Sequence, residues 1–271
     1  MVTSIKHLNF IIDHANSTMD YLDGKANIGL PFFCICMIER LSKGSKSMAL
    51  LLQNIEKEPD LEFSCGIILR SLLLDALSVY NLFHIMAEEG NYKDEAARLK
   101  AAEAFCDTML SDGLEHTLKY VKMAKDVNTI SREMLEQTYK NLVSRYNIFF
   151  ASYANDGTKP VLRNANRYSP AELFTRIATT RRFKELSKIY DSYLLFSKYD
   201  HFGILYFEAS RQPFGDKLHK IKEAIRMFIT SFSMLHAILA KYLKEEFLES
   251  QSNIASKYLF EKILKRNSKV N

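Results

Sequence analysis

Apolar side chains return along this chain at intervals of three and four residues in two long stretches. Leu135, Tyr139, Leu142, Tyr146, Phe149 and Tyr153 form one series; Ile221, Ile225, Phe228, Phe232, Leu235, Leu239 and Tyr242 form the other. Such steps keep side chains on one face of a 3.6-residue helix, and an apolar face needs a neighbour to cover it. The pattern predicts two bundle helices, over 135–153 and 221–242. The stretch from about Phe63 to Glu88 differs. Ile67, Ile68, Leu69, Leu72, Leu73, Leu74, Leu77, Val79, Leu82 and Phe83 leave little room for a polar face, which predicts a central helix covered on most sides. Asp60 is placed to cap its start and Gly90 to end it. Ser169-Pro170-Ala171-Glu172 has the layout of a capping box, with proline at the first helical position.

Between Tyr153 and Ser169 the period is lost, and Asn155-Asp156-Gly157 and Lys159-Pro160 mark a long irregular connection. We expect a single helical domain over 1–271, with any division at the loop 154–169, because the central helix needs cover from both halves. Only five prolines and nine glycines interrupt 271 residues, and runs such as Asp94 to Ala104 consist of strong helix formers. The expected class is all-α: a multi-helix bundle of long antiparallel helices.

Membrane and redox signals narrow the picture. The apolar run Ile28 to Ile38 contains Pro31 and stops at Glu39-Arg40, while Ala224 to Leu243 carries Arg226, His236 and Lys241. Neither reads as a transmembrane helix, and the first residues lack a signal-peptide layout. Cys34, Cys36, Cys65 and Cys106 lie in apolar, helix-like surroundings and read as buried free thiols of a reducing compartment. The expectation is a cytoplasmic protein with no membrane partner.

Net charge is +5, and it is unevenly placed. Lys159, Arg163, Arg167, Arg176, Arg181, Arg182, Lys184 and Lys188 face only Glu172 and Glu185, so this segment alone carries +6. A second basic cluster, Lys257, Lys262, Lys265, Arg266 and Lys269 against Glu261, closes the chain. Arg163, Arg167, Arg176, Arg181, Arg182 and Lys184 are thereby candidates to contact nucleic-acid phosphates.

Candidate chemistry concentrates at Ser197-Lys198-Tyr199-Asp200-His201-Phe202-Gly203, which breaks a helix-forming run with groups that donate, accept and titrate. Arg70 sits inside the predicted central helix and needs a partner from another segment, since Asp75 lies about 140° around the helix from it. Asp200 is the favoured partner, with His201 as a general base or ligand group. No Glu-x-x-His pair, His-Glu-x-x-His or second thiol pair is present, so no metal is expected. Glycine-rich nucleotide loops are also missing, and no cofactor is expected.

Leu69-Arg70-Ser71-Leu72-Leu73-Leu74-Asp75, followed later by Tyr190 and by Leu195-Phe196-Ser197-Lys198-Tyr199-Asp200-His201-Phe202-Gly203, resembles a bacterial family of uncharacterised all-helical proteins. That family is distantly similar to HEPN-type domains. The resemblance implies a helical scaffold and no settled activity. The family's acid one turn after the arginine is Leu74 here, with Asp75 next, and the arginine-to-histidine spacing of HEPN ribonucleases precedes none of the seven histidines. The leading expectation is a HEPN-like homodimer that binds RNA or a protein partner through its basic segment. Two others compete with it: a metal-independent nuclease or other hydrolase using His201 with Arg70, and a purely structural interaction module.

Overall fold

A computed structural model describes residues 1–25, 29–87, 92–164, 166–178, 188–198 and 211–264. In chain order the helices are α1 (Val2–Leu22), α2 (Gly29–Asn54), α3 (Leu61–Ala87), α4 (Glu95–Asp126) and α5 (Arg132–Arg145). A 3-10 turn (Asn147–Phe149) and two short strands follow, β1 (Phe150–Ser152) and β2 (Val161–Leu162). Then come α6 (Pro170–Ala178), α7 (Lys188–Ser197), α8 (Phe214–Leu243) and α9 (Glu246–Leu259), which runs into a π-helical turn, Phe260–Leu264. The chain is mostly helical, as the periodicity predicts.

Contacts divide it into two compact units. One combines Met1–Arg98 with Pro170–Asn271; the other is the inserted stretch Leu99–Ser169. In the first unit α3 packs against α2, α6, α7 and α8, so segments from both sides of the insertion cover it, as its composition requires. The predicted α8 stripe is confirmed: Ile221, Ile225, Phe228, Phe232, Leu235 and Leu239 are all buried. Burying each such side chain contributes about 1.5–3 kcal/mol, which explains why this face fixes the helix in place. By length and apolarity α3 and α8 could each cross a membrane, but more than half of each apolar window is buried inside the protein. Core helices have that property. α6 starts at Pro170, where the capping-box residues place it.

The inserted unit corrects one expectation. The series from Leu135 to Tyr153 is not one helix: α5 stops at Arg145, where Tyr146 leaves helical geometry with φ −125° and ψ 37°. Phe149 and Phe150 are consecutive and both buried. Phe149 ends the 3-10 turn, and the backbone becomes extended at Phe150, with φ −100° and ψ 135°, where it enters β1. β1 pairs antiparallel with β2, Phe150 opposite Leu162, and the series still converges on one core of Leu118, Leu135, Tyr139 and Phe150. Gly157 takes φ +81° at the hairpin tip, a conformation few other residues accept. Asp156 caps that turn through the Thr158 amide at 2.9 Å, and Arg132 Nη2 donates to the Asp156 carbonyl.

Candidate functional site

Asp75 finds a partner on another helix. Arg40 of α2 donates from Nε to Asp75 Oδ2 at 2.8 Å and from Nη2 to Ser71 Oγ at 3.0 Å. Ser71 and Asp75 are one turn apart on α3, so a single guanidinium spans both and ties α2 to α3. Burial pushes the Asp75 carboxyl up, and the bond to Arg40 offsets this only in part. Arg70 is half-buried on α3. Asp200 and His201 lie outside the described residues, and with them the predicted polar centre.

Histidines serve a different purpose in the described part. His7, His14 and Thr18 lie along one face of α1. His7 Nδ1 is 2.9 Å from Tyr258 Oη, and His14 Nδ1 is 3.1 Å from Gln251 Oε1. Thr18 Oγ1 is 2.8 Å from His236 Nε2. This polar seam joins α1 to α8 and α9. The seven- and four-residue spacing of His7, His14 and Thr18 beside Leu8, Ile11 and Ala15 is the sequence signal for it. Burial pushes the His236 imidazole down to about 4, even though its Nδ1 lies 2.9 Å from the Phe232 carbonyl.

The basic segment divides between the described and undescribed residues. Arg181, Arg182 and Lys184 lie outside the described residues, and Arg176 is half-buried in the last turn of α6. Arg163 donates from its amide to the Phe149 carbonyl and from Nε to the Phe150 carbonyl, both at 2.8 Å, which secures the hairpin. Lys159 Nζ is 2.6 Å from Glu115 Oε1. Arg167 reaches Asp112 Oδ1 at 3.1 Å and Glu115 Oε1 at 3.7 Å. Burial raises the Glu115 carboxyl, but Lys159 and Lys119 outweigh it and hold the group below the usual range. Lys159 and Arg167 are thus neutralised within their own unit.

Unpaired cations gather elsewhere. A groove of about 350 Å³ opens between α1, α8 and the C-terminal π-turn, lined by Ser4, His7, Lys222, Arg226 and Lys262 among others. Lys222 and Arg226 are one turn apart on the exposed edge of α8, and Lys262 belongs to the basic cluster that closes the chain. None of the three has an acidic partner among the described residues. Neighbouring lysines behave otherwise: Lys217 pairs with Glu62 at 3.1 Å and Lys220 with Glu223 at 3.2 Å. Three like charges facing one groove repel one another, and an anion seated among them removes that repulsion. The His7 ring at the groove is held by Tyr258, which in turn stacks on Phe10 with ring centroids 3.7 Å apart. Sequence reading did not find this site, because its cations come from segments some forty residues apart that only folding brings together.

Among the described residues no group of three His, Cys, Asp or Glu side chains is gathered as metal ligands. Comparison with protein-family models, with curated proteins and with solved structures finds no match to this chain.

Proposed function

We propose that the chain is a HEPN-like helical binding module that contacts RNA phosphates through the groove formed by Lys222, Arg226 and Lys262. The observation that carries this reading is the convergence on one open groove of three cations with no acidic partner among the described residues. Single-stranded phosphate backbone fits such a site because each phosphate neutralises one cation and releases condensed counterions. RNA is the polyanion to test first, because a flexible single strand can bring successive phosphates to cations on neighbouring elements. Lys265, Arg266 and Lys269 follow Lys262 in the sequence and lie outside the described residues.

Fluorescence anisotropy of a labelled single-stranded RNA at low salt tests the reading. Wild type is expected to bind, the triple charge reversal K222E, R226E and K262E to lose binding at least a hundredfold, and Arg167→Gln to bind like wild type. Equal binding by the triple variant, or its loss in Arg167→Gln, would place the contact elsewhere.

A further inference from the structure

The inserted unit holds a second cavity, of about 280 Å³, between α4 and the segment that follows the hairpin turn. Ser111 lines it and is only 1% exposed, yet its hydroxyl has no hydrogen-bond partner among the described residues. Helical hydroxyls nearby return their proton to the preceding turn, as Thr108 does to the Ala104 carbonyl and Thr117 to that of Gly113. Ser111 does not. A buried hydroxyl left unsatisfied costs about 1–3 kcal/mol, so its retention beside a cavity points to a group that enters and completes it.

The lining defines the chemistry of that group. Asp112 and Glu115 balance Arg167 and Lys159 through the ion pairs described above, so the wall has no net charge. A carboxylate ligand would meet the two acids and an ammonium the two cations; a neutral molecule meets neither penalty. Hydrogen-bonding capacity remains on the wall: the Ser111 hydroxyl donates and accepts, and Asp112 Oδ1, paired with Arg167 at 3.1 Å, has a second lone pair to offer. Asn164 gives one amide proton to Thr108 Oγ1 at 2.9 Å and keeps the other. Pro160, Val161 and Leu162 add apolar lining to these polar groups. Hydroxyl, carboxylate and amide groups together with apolar lining suit a ring that carries hydroxyls at its rim and C–H bonds on its face. The volume, about 280 Å³, lies just below the roughly 300–1,000 Å³ of most ligand pockets, which limits the occupant to a single small ring.

We propose that this cavity binds a small uncharged polyhydroxyl ring, with Ser111 and Asp112 as its hydrogen-bonding anchors. The site is independent of the basic groove and of the RNA reading. A free monosaccharide and the ribose of a nucleoside share this chemistry, and the test separates them.

The test is NMR titration of the full chain with glucose, galactose, ribose and uridine, with glucose 6-phosphate as the charged comparator. We expect saturable shifts at residues 111–115 and 159–167 with at least one neutral probe, and about tenfold weaker binding in Ser111→Ala. That factor corresponds to one hydrogen bond of about 1.4 kcal/mol. Binding of uridine alone would assign the ligand as a nucleoside ribose; binding of a hexose or free ribose would assign a free sugar. The variant itself is expected to melt no lower than wild type, because an unsatisfied hydroxyl is removed. Absence of saturable binding by every neutral probe, tighter binding of glucose 6-phosphate, or unchanged affinity in Ser111→Ala would overturn the proposal. So would a clear loss of stability in that variant, since it would mean that the hydroxyl is already satisfied.

Discussion

His236 is wholly buried, and its two ring nitrogens have fixed roles. Nδ1–H donates to the Phe232 carbonyl, so Nε2 accepts from the Thr18 hydroxyl, which gives its single proton to the imidazole and not to the His14 carbonyl 3.0 Å away. The unfolded chain takes up a proton at this histidine near 6.5 and the folded chain only near 4. Unfolded protein therefore binds more protons between those values, and stability rises with pH across that window. The contribution is complete above about 6.5 and is lost as pH falls toward 4, by about 3 kcal/mol for this group. Urea midpoints for wild type and His236→Gln, measured from pH 7 to pH 4, check this. The wild type should lose markedly more stability than the variant on acidification; equal slopes would show that the histidine is not held neutral. None of this was legible in the sequence, where His236 is one polar residue on an apolar helix. Its neutrality follows from burial among elements distant in sequence, and its side-chain partner Thr18 is 218 positions away.

At the scale of elements, the α2–α3 contact carries a sharper constraint than composition suggests. A Cβ built on Gly44 would lie 2.7 Å from the Leu72 methyl groups, and Leu72 is itself buried with little space to move into. Alanine in place of glycine gains about 1 kcal/mol of helix propensity, but overpacking a tight core costs about 1–3 kcal/mol. We predict that Gly44→Ala lowers stability by about 1 kcal/mol, read as a shift in the urea midpoint at unchanged slope. A stabilised variant would show that the helices are not in such close contact. The clamp on Glu115 makes a second prediction. Glu115→Gln removes the charge that Lys159 and Arg167 both approach, at a cost of about 2 kcal/mol to the inserted unit, and amide exchange in 159–167 should quicken. Unchanged exchange there would contradict the clamp.

These elements show where periodicity succeeds and where it fails. α3 and α8 were readable because an apolar face over many turns admits few other structures. β1 was not, because Phe149 and Tyr153 continue a four-residue step that a short strand also satisfies once Phe150 joins the core. The bond from Arg40 to Asp75 was hidden for another reason. It depends on the register of α2 against α3 over 35 residues of sequence, which no local pattern encodes.

For the whole molecule, charge is the property that links fold to function. The chain carries +5, and the sequence places the excess in 159–188. Folding redistributes its meaning: the described cations Lys159 and Arg167 are matched by acids of α4, whereas Lys222 and Arg226 join Lys262 of the C-terminal turn with no matching acid among the described residues. Net charge by segment was legible, but which charges are neutralised was not, because pairing is decided by tertiary contacts. The proposed RNA contact therefore depends on cations with no described acidic partner and not on total charge. The most direct test is the salt dependence of single-stranded RNA binding between 50 and 200 mM salt. Three phosphate contacts at about 0.7 each predict a slope of log K against log salt near −2, reduced by about 0.7 in each of Lys222→Ala, Arg226→Ala and Lys262→Ala. No binding at the lowest salt, or a slope that these substitutions leave unchanged, would contradict the account.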